Sequence, residues 1–234
     1  MHDRLRKFAS ASDMVARLAD EIVARLTSAV EDRGRASLVV SGGTTPGALF
    51  DALRERDMPW DKVWITLSDE RWVAPTEDGS NEKLVRTRLL RSKAASAHFV
   101  GMKTSAAKPE NAQTTVDAAI SAMPRPFDVT LLGMGDDGHT ASLYPRAPEL
   151  NAALDTGAPA LVHAVHAQKA AATGNRMTLT LRAILDSRWI VLLIEGDAKM
   201  KTYRRAESGT DVPEMPVRAV LGQSRAPVAV FWAP

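Results

Sequence analysis

The sequence predicts a single α/β domain over residues 1–234, with a doubly wound, mainly parallel sheet and helices on both of its faces. The 234 residues, of which 45% are apolar, are enough to bury one sizeable core. Short apolar runs alternate with amphipathic helical patterns along the chain, which is typical of repeated βαβ units. Several of these runs are apolar at nearly every position, as expected of parallel strands that are buried on both faces.

The first part of the chain shows this alternation. Apolar residues recur every four positions from residue 14 to residue 30, which predicts an amphipathic helix with Ser12 or Asp13 as its N-cap and Gly34 as its end. Residues 37–40 form a short apolar run of the buried-strand kind. Pro46 suits the first turn of a second helix, which we expect to extend through residue 53.

The later elements follow from the same criteria. The strands are predicted at residues 63–67, 98–101, 127–132, 160–165, 177–181, 189–194 and 228–232. The helices are predicted from Ser80 to about residue 91, from Pro109 to about residue 123, and from Asp197 onward. Residues 147–159 are expected to be the least regular stretch, and neither a repeat nor a linker divides the chain.

The composition narrows the functional classes. Lys and Arg total 30 against 28 for Asp and Glu, and the charges are interspersed, so nucleic-acid binding is not expected. The absence of Cys excludes disulfides, thiolate metal sites and a cysteine nucleophile. The apolar runs are far shorter than the roughly 18 residues of a membrane helix, and no signal-peptide core follows Met1. We therefore expect a soluble, cytoplasmic protein with no membrane partner.

Polar segments follow four of the predicted strands. They occupy residues 41–45, 68–71, 133–139 and 195–199. In open α/β sheets, ligands bind outside the carboxyl ends of the strands. If these strands are parallel, the four segments line one edge of the sheet and bring glycine-rich backbone, carboxylates, basic groups and an imidazole together.

The first segment fits two interpretations. Its glycines and threonines offer close backbone approach, free N–H donors and hydroxyls, as a phosphate at a helix N-terminus requires, and a simple tight turn explains them equally well. They are Gly42, Gly43, Thr44 and Thr45. Lys199 favours the phosphate, because a lysine in the first turn of a helix is unfavourable unless an anion lies there. Arg176, just before a predicted strand, is either a second anion ligand or a solvated loop charge.

His139 is the candidate centre of the chemistry. We expect residues 140–143 to form a helical turn whose positive end favours the neutral imidazole, while Asp137 orients the ring and stabilises its charged form. This combination suits a general base. Asp69 and Arg71 are either residues of the same site or a salt-bridged pair in a loop.

Two other kinds of site are not expected. Residues 133–138 match the dinucleotide-binding pattern GxGxxG, but two carboxylates within the loop would repel a pyrophosphate. The acidic ribose ligand expected about 20 residues further on is also missing. No histidine pair has convincing metal-ligand spacing, so neither a metal nor any other cofactor is predicted.

The sequence resembles the 6-phosphogluconolactonases. These enzymes belong to a superfamily that also contains the glucosamine-6-phosphate isomerase/deaminases. The resemblance runs nearly end to end, and the glycine-histidine segment is its most specific part. It is carried by residues 41–46, 68–73, 80–81, 132–145, 176–180 and 196–199.

The resemblance implies an enzyme that hydrolyses 6-phospho-D-glucono-1,5-lactone, a phosphorylated sugar lactone, without a cofactor and as a monomer. It implies that the loop of residues 42–45, Arg176 and Lys199 hold the phosphate. His139 would activate water and Asp137 would orient it. The sugar would contact Asp69 and Arg71 with support from Asn81. Lys169 is a further implied substrate ligand, although the family commonly has Lys-Pro-Pro here and this chain has Lys-Ala-Ala.

Two alternatives remain at the level of sequence. The sister isomerase/deaminases usually carry a glutamate where this chain has Tyr144, and a tyrosine where it has Arg71, and both differences favour the lactonase. A non-catalytic sugar-phosphate sensor would retain the phosphate ligands but could lose the base. The presence of both His139 and Asp137 places that hypothesis last.

Overall fold

A computed structural model describes residues 4–167 and 174–234, which contain ten strands and eight α-helices. The strands are β1 (Leu5–Lys7), β2 (Ala36–Val40), β3 (Val63–Leu67), β4 (Asp69–Arg71), β5 (His98–Val100), β6 (Val129–Leu132), β7 (Val162–His166), β8 (Asn175–Leu179), β9 (Ile190–Glu195) and β10 (Val228–Ala233). The helices are α1 (Ala11–Arg33), α2 (Thr45–Arg54), α3 (Asn81–Arg88), α4 (Gln113–Ser121), α5 (Leu150–Leu154), α6 (Leu181–Leu185), α7 (Asp197–Ser208) and α8 (Val217–Leu221). None of the described helices is long and apolar enough to cross a membrane.

Seven strands form one sheet in the order β1-β10-β9-β6-β2-β3-β5, and every neighbouring pair is parallel. The central strands β2 and β6 are buried at every position. Strands that are apolar and buried on both sides require helices on both faces of the sheet. The predicted α/β fold with a mainly parallel sheet is therefore confirmed.

The other three strands form a separate antiparallel sheet in the order β4-β8-β7. This corrects the expectation that the strands near residues 160–165 and 177–181 belong to the parallel sheet. Residues 167–174 are too few for a parallel crossover, which needs about a dozen residues or more, so β7 and β8 pair as a hairpin. The polar run after β3 adds β4 to this hairpin, and Leu179 N donates to Ser68 O over 2.8 Å.

Several local expectations also change. Helix α1 begins at Ala11 rather than at residue 13 or 14, because Ser10 accepts a hydrogen bond from Asp13 N and acts as the N-cap. Gly34 ends α1, as predicted, and its φ is 73°. The expected irregular stretch of residues 147–159 contains the short helix α5. Strand β1 and helix α8 were not predicted, since both are too short to show periodicity.

Residues 140–143 form a β-turn instead of the expected helical turn. Leu143 N donates to Thr140 O over 3.0 Å, and Ala141 has φ of 49°. A positive φ on a residue other than glycine is uncommon. The helix dipole that was expected to favour a neutral His139 is therefore absent from this turn.

Candidate active site

The carboxyl ends of β2, β3, β6 and β9 surround a cleft of about 280 Å³, close to the lower end of the range for small-ligand sites, roughly 300 Å³. All four predicted segments contribute to its lining. The predicted site residues that line it are Gly42, Gly43, Thr44, Thr45, Asp69, Arg71, Asn81, His139, Arg176 and Lys199. Asp137 is not part of the lining but contacts His139, and Lys169 lies outside the described residues.

His139 and Asp137 form a close pair in the loop that follows β6. The Nδ1 atom of His139 lies 2.6 Å from Oδ1 of Asp137, and the backbone N of His139 donates to the same oxygen over 3.1 Å. Burial raises the pKa of Asp137, but the hydrogen bonds and charge of His139 outweigh this effect and lower the pKa to about 2. The carboxylate is therefore ionised at neutral pH, and Nε2 is the ring nitrogen left for proton transfer.

The glycines of this loop make room for the pair. A Cβ at position 135 would lie 2.1 Å from Nδ1 of His139, so only glycine fits there without moving the ring. Gly138 has φ of 82°. Gly135 N also donates to His139 O over 2.9 Å, which closes the loop. Contact with the imidazole therefore explains Gly135, and the positive φ explains Gly138, without a dinucleotide.

Tyr144 packs against the imidazole from the turn that follows. The two ring centroids lie 4.4 Å apart at an interplanar angle of 33°. The Arg176 guanidinium carbon lies 5.5 Å from the centroid of the same tyrosine ring. Tyr144 thus contacts both His139 and Arg176, and all three residues line the cleft.

The loop between β2 and α2 presents unused donors to the cleft. Thr44 occupies the N-cap position of α2, yet its side chain makes no capping hydrogen bond. The N–H groups of the first helical turn are a natural partner for an anion. Gly42 has a further reason to be glycine, because a Cβ there would lie 1.9 Å from Oδ1 of Asn81.

Arg71 and Arg176 are direct cross-strand partners in the antiparallel pair of β4 and β8. Directly opposed residues place their side chains on the same face of a sheet. Both Nε atoms are buried without a hydrogen-bond partner among the described residues, and Arg176 is only 4% exposed. Arg176 thus lies within a strand rather than in the solvated loop considered above, and the two guanidiniums form a cationic wall that suits an anionic ligand.

Asp69 links the two sheets instead of pairing with Arg71. Its Oδ1 accepts from Ser68 Oγ over 3.1 Å and its Oδ2 accepts from Ser142 Oγ over 2.5 Å. Ser142 N donates to Thr178 Oγ1 over 3.1 Å. Arg71 donates instead to Gly79 O over 2.6 Å. Sequence reasoning missed Ser142, whose only signal was its place within the glycine-histidine segment.

Glu70 is a second residue that sequence reasoning missed. It is fully buried, and its carboxylate accepts from Arg71 N, Ser80 Oγ, Asn81 N and Glu82 N over 2.7 to 3.0 Å. Burial raises the pKa of Glu70, while these four donors act in the opposite direction. The carboxylate ties β4 to the N-terminus of α3 and so fixes Asn81, whose Nδ2 donates to Asp69 O over 2.8 Å.

Lys199 already has an anionic partner supplied by the protein. Its Nζ lies 2.7 Å from Oδ1 of Asp136, in the loop that also carries Asp137 and His139. Lys199 lies in the first turn of α7, so the anion expected from its position in the helix is present. Among the residues that the structure describes, no group of three or more His, Asp or Glu side chains is arranged to hold a metal ion.

Comparison with known proteins gives consistent results. A family model described as glucosamine-6-phosphate isomerases/6-phosphogluconolactonase matches residues 9–232. A curated 6-phosphogluconolactonase of Rhizobium meliloti is 41% identical over 234 residues and covers 100% of both chains. That of Mesorhizobium japonicum is 45% identical over 217 residues, covering 93% of this chain and 90% of the relative. The crystal structure of a 6-phosphogluconolactonase from Shewanella baltica superposes with a TM-score of 0.95 at 44% identity, covering 98% of this chain and 97% of the other.

Proposed function

The chain belongs to the family of glucosamine-6-phosphate isomerases and 6-phosphogluconolactonases, and on that basis we propose that it hydrolyses 6-phospho-D-glucono-1,5-lactone to 6-phospho-D-gluconate. This reaction is a step of the oxidative pentose phosphate pathway. The observation that carries the proposal is the His139–Asp137 pair at 2.6 Å, with His139 in a cleft that also contains the half-buried Arg71, the buried Arg176 and Lys199. A base beside a cationic wall suits the hydrolysis of an ester that carries a phosphate.

In this mechanism His139 acts as the general base. Its Nε2 takes a proton from water as the water oxygen attacks the lactone carbonyl carbon, and Asp137 stabilises the resulting imidazolium. The tetrahedral intermediate then collapses, the bond between the carbonyl carbon and the ring oxygen breaks, and His139 returns the proton to the leaving oxygen. The pKa of Asp137 near 2 keeps its carboxylate charged throughout this cycle.

The substrate would lie with its phosphate against the loop of residues 42–45, Arg176 and Lys199. The unused Thr44 side chain and the unpaired Nε of Arg176 support this orientation. Asp69, Arg71 and Asn81 would line the sugar, with Arg71 close enough to Arg176 to share the negative charge. The role of Lys169 as a substrate ligand and the monomeric state both stay predictions.

Tyr144 supports the lactonase over the sister isomerase/deaminase reaction. In the isomerases the resemblance places a glutamate at this position, where it works with the histidine in opening the sugar ring. Here an aromatic ring packs on His139 at 4.4 Å and provides no carboxylate. The retained base and its aspartate argue against a purely non-catalytic sensor.

The test is a comparison of wild type and His139→Ala, with 6-phosphogluconolactone generated in situ and acid release followed at neutral pH. A reaction without enzyme measures spontaneous hydrolysis. We expect His139→Ala to lose roughly 10²- to 10⁴-fold in kcat while its melting temperature stays near that of wild type. His163→Ala, on β7 outside the cleft, is the matched histidine control and should retain activity. Wild type that does not exceed the spontaneous rate would overturn the proposal, and glucosamine-6-phosphate turnover would be tested next.

A further inference from the structure

Lys199 forms an ion pair with Asp136, although the proposed reaction assigns Lys199 to the substrate phosphate. We propose that Asp136 is an internal competitor for Lys199, and that the substrate phosphate must displace its carboxylate in order to bind. Asp136 is then a specificity-determining residue, because it sets how strongly the cleft binds phosphorylated ligands. This inference rests on the proposed function, since it takes Lys199 to be a phosphate ligand.

The position of Lys199 explains why it pairs with a carboxylate of the protein. It lies in the first turn of α7, where the helix dipole is positive and an additional cation is unfavourable. Its one ion pair among the described residues is with Asp136, at 2.7 Å. The carboxylate thus compensates a charge that a bound phosphate would otherwise compensate.

The Asp136 side chain can leave this position without unfolding its loop. The side chain is 82% exposed, whereas that of Lys199 is 31% exposed. The backbone of the loop is held separately, by Arg205 Nη2 donating to Asp136 O over 3.1 Å and by Gly138 N donating to Gly135 O over 3.0 Å. Rotation of the carboxylate towards solvent therefore breaks only the ion pair.

A phosphate has the advantage in this competition. It carries roughly 1.5 to 2 negative charges near pH 7 and three acceptor oxygens, against one charge for the carboxylate. It can also contact the α2 N-terminus and Arg176 at the same time, which Asp136 does not. An exposed ion pair contributes little free energy, so a dianion displaces it readily while a neutral or weakly charged sugar does not. Asp136 thereby reserves Lys199 for ligands that carry more negative charge than a single carboxylate.

The experiment titrates inorganic phosphate into the full-length protein by calorimetry, for wild type, Asp136→Asn, Asp136→Glu, Lys199→Met and the double variant Asp136→Asn/Lys199→Met. We expect Asp136→Asn to tighten phosphate binding about two- to fivefold, which is the range set by an exposed ion pair. Asp136→Glu keeps the charge and should bind like wild type. Lys199→Met should bind more weakly, and on that background Asp136→Asn should have no further effect.

Steady-state kinetics with the lactone provide the second readout. Asp136→Asn should lower KM by a similar factor and leave kcat unchanged, whereas a merely structural role would change the melting temperature or kcat. The inference is overturned if Asp136→Asn does not tighten phosphate binding. It is equally overturned if the effect is the same size without Lys199, because that pattern means through-space repulsion instead of competition.

The failure of this inference is distinguishable from failure of the proposed function. Wild type that binds phosphate through Lys199 but does not hydrolyse the lactone contradicts the proposed reaction alone, and the calorimetric comparison of Asp136 variants still decides the competition. Wild type that hydrolyses the lactone but shows no effect of Asp136→Asn contradicts the competition alone. Wild type that does not bind phosphate overturns the competition together with the phosphate role of Lys199.

Discussion

The seven-stranded parallel sheet and the three-stranded antiparallel sheet both reach the cleft, but they present their groups differently. The parallel sheet contributes loops beyond its strand ends, where Gly42, Gly135 and Gly138 let backbone and side chains approach closely. The small sheet contributes Asp69, Arg71 and Arg176 from within its strands, where register sets their positions. The geometry of the first group therefore depends on backbone shape, and that of the second on strand pairing.

The two sheets also differ in what they contribute to the stability of the folded protein. The parallel sheet buries apolar strands that stabilise the fold, whereas the small sheet buries two guanidinium Nε atoms without partners. A buried charge without a partner is unfavourable for folding. Under the proposed function, the small sheet thus carries groups for substrate binding that the fold itself does not require.

The largest effect should come from one added methyl group in the parallel-sheet loop. In Gly135→Ala the new Cβ would lie 2.1 Å from Nδ1 of His139, so the ring must move away from Asp137. A displacement of about 1 Å costs roughly 100-fold in rate, and we expect kcat/KM to fall by at least that factor. The matched control is Gly133→Ala, whose Cβ would meet only Ser41 Oγ at 4.0 Å. Equal activities of the two variants would show that the position of His139 does not depend on the glycine at residue 135.

A smaller effect on activity, and none on stability, is expected from the small sheet. Arg176→Met should raise KM about 10- to 100-fold, because a hydrogen bond to a charged group contributes roughly 1.5–3 kcal/mol. Its free energy of unfolding should stay equal or rise, since an unsatisfied guanidinium is replaced by an apolar chain. Steady-state kinetics and urea unfolding measure the two quantities.

Arg218 is the matched control for this arginine. It is 7% exposed, but it donates to the carbonyls of Arg205, Ala206 and Asp211 and to Glu214. Arg218→Met should therefore lose about 2–3 kcal/mol of stability. If Arg176→Met is destabilised as strongly as Arg218→Met, then the small sheet depends on its guanidinium and the contrast between the sheets is wrong.

The smallest effect concerns the charge of Asp137. Its pKa of about 2 in the folded protein lies below the usual 3.8, so ionisation stabilises the folded state above about pH 4, and this contribution is lost as the pH falls towards 2. Because the side chain is 51% exposed, solvent screening limits the contribution to about 1 kcal/mol or less. Urea unfolding of wild type and Asp137→Asn at pH 6, 4 and 3 measures it. A stability difference that grows on acidification would contradict the assigned sign.

Six of the seven strands of the parallel sheet could be predicted because their signals are local, and only β1, with three residues, was missed. Strands such as β3 are continuous apolar runs bounded by polar residues, and the segments after four of them collect at one edge whatever the details of packing. The loops after β2 and β6 could therefore be predicted as site segments. Lys199 was predicted to hold the phosphate, which stays a prediction, and the sequence did not show its ion pair with Asp136.

The small sheet could not be predicted in the same way, because its signals are non-local. The pairing of Arg71 with Arg176 depends on the register between β4 and β8, which no local pattern specifies. Glu70 occurs in a polar run that is typical of a surface, and its burial depends on Ser80, Asn81 and Glu82 at the start of α3. The positive φ of Ala141 is unusual for alanine, and this explains why a helical turn was expected instead.

The place of β10 between β1 and β9 has a consequence for biosynthesis. Leu5 is in register with Val230, so the first strand leaves the ribosome long before its partner exists. Until residues 228–233 are available, β9, an apolar strand of six residues, is the open edge of the nascent sheet. Contacts between such distant residues form slowly, and an unpaired apolar edge is prone to aggregation in the meantime. Strand β10, which is synthesised after the six other strands of this sheet, is thus the one that covers the apolar edge of β9.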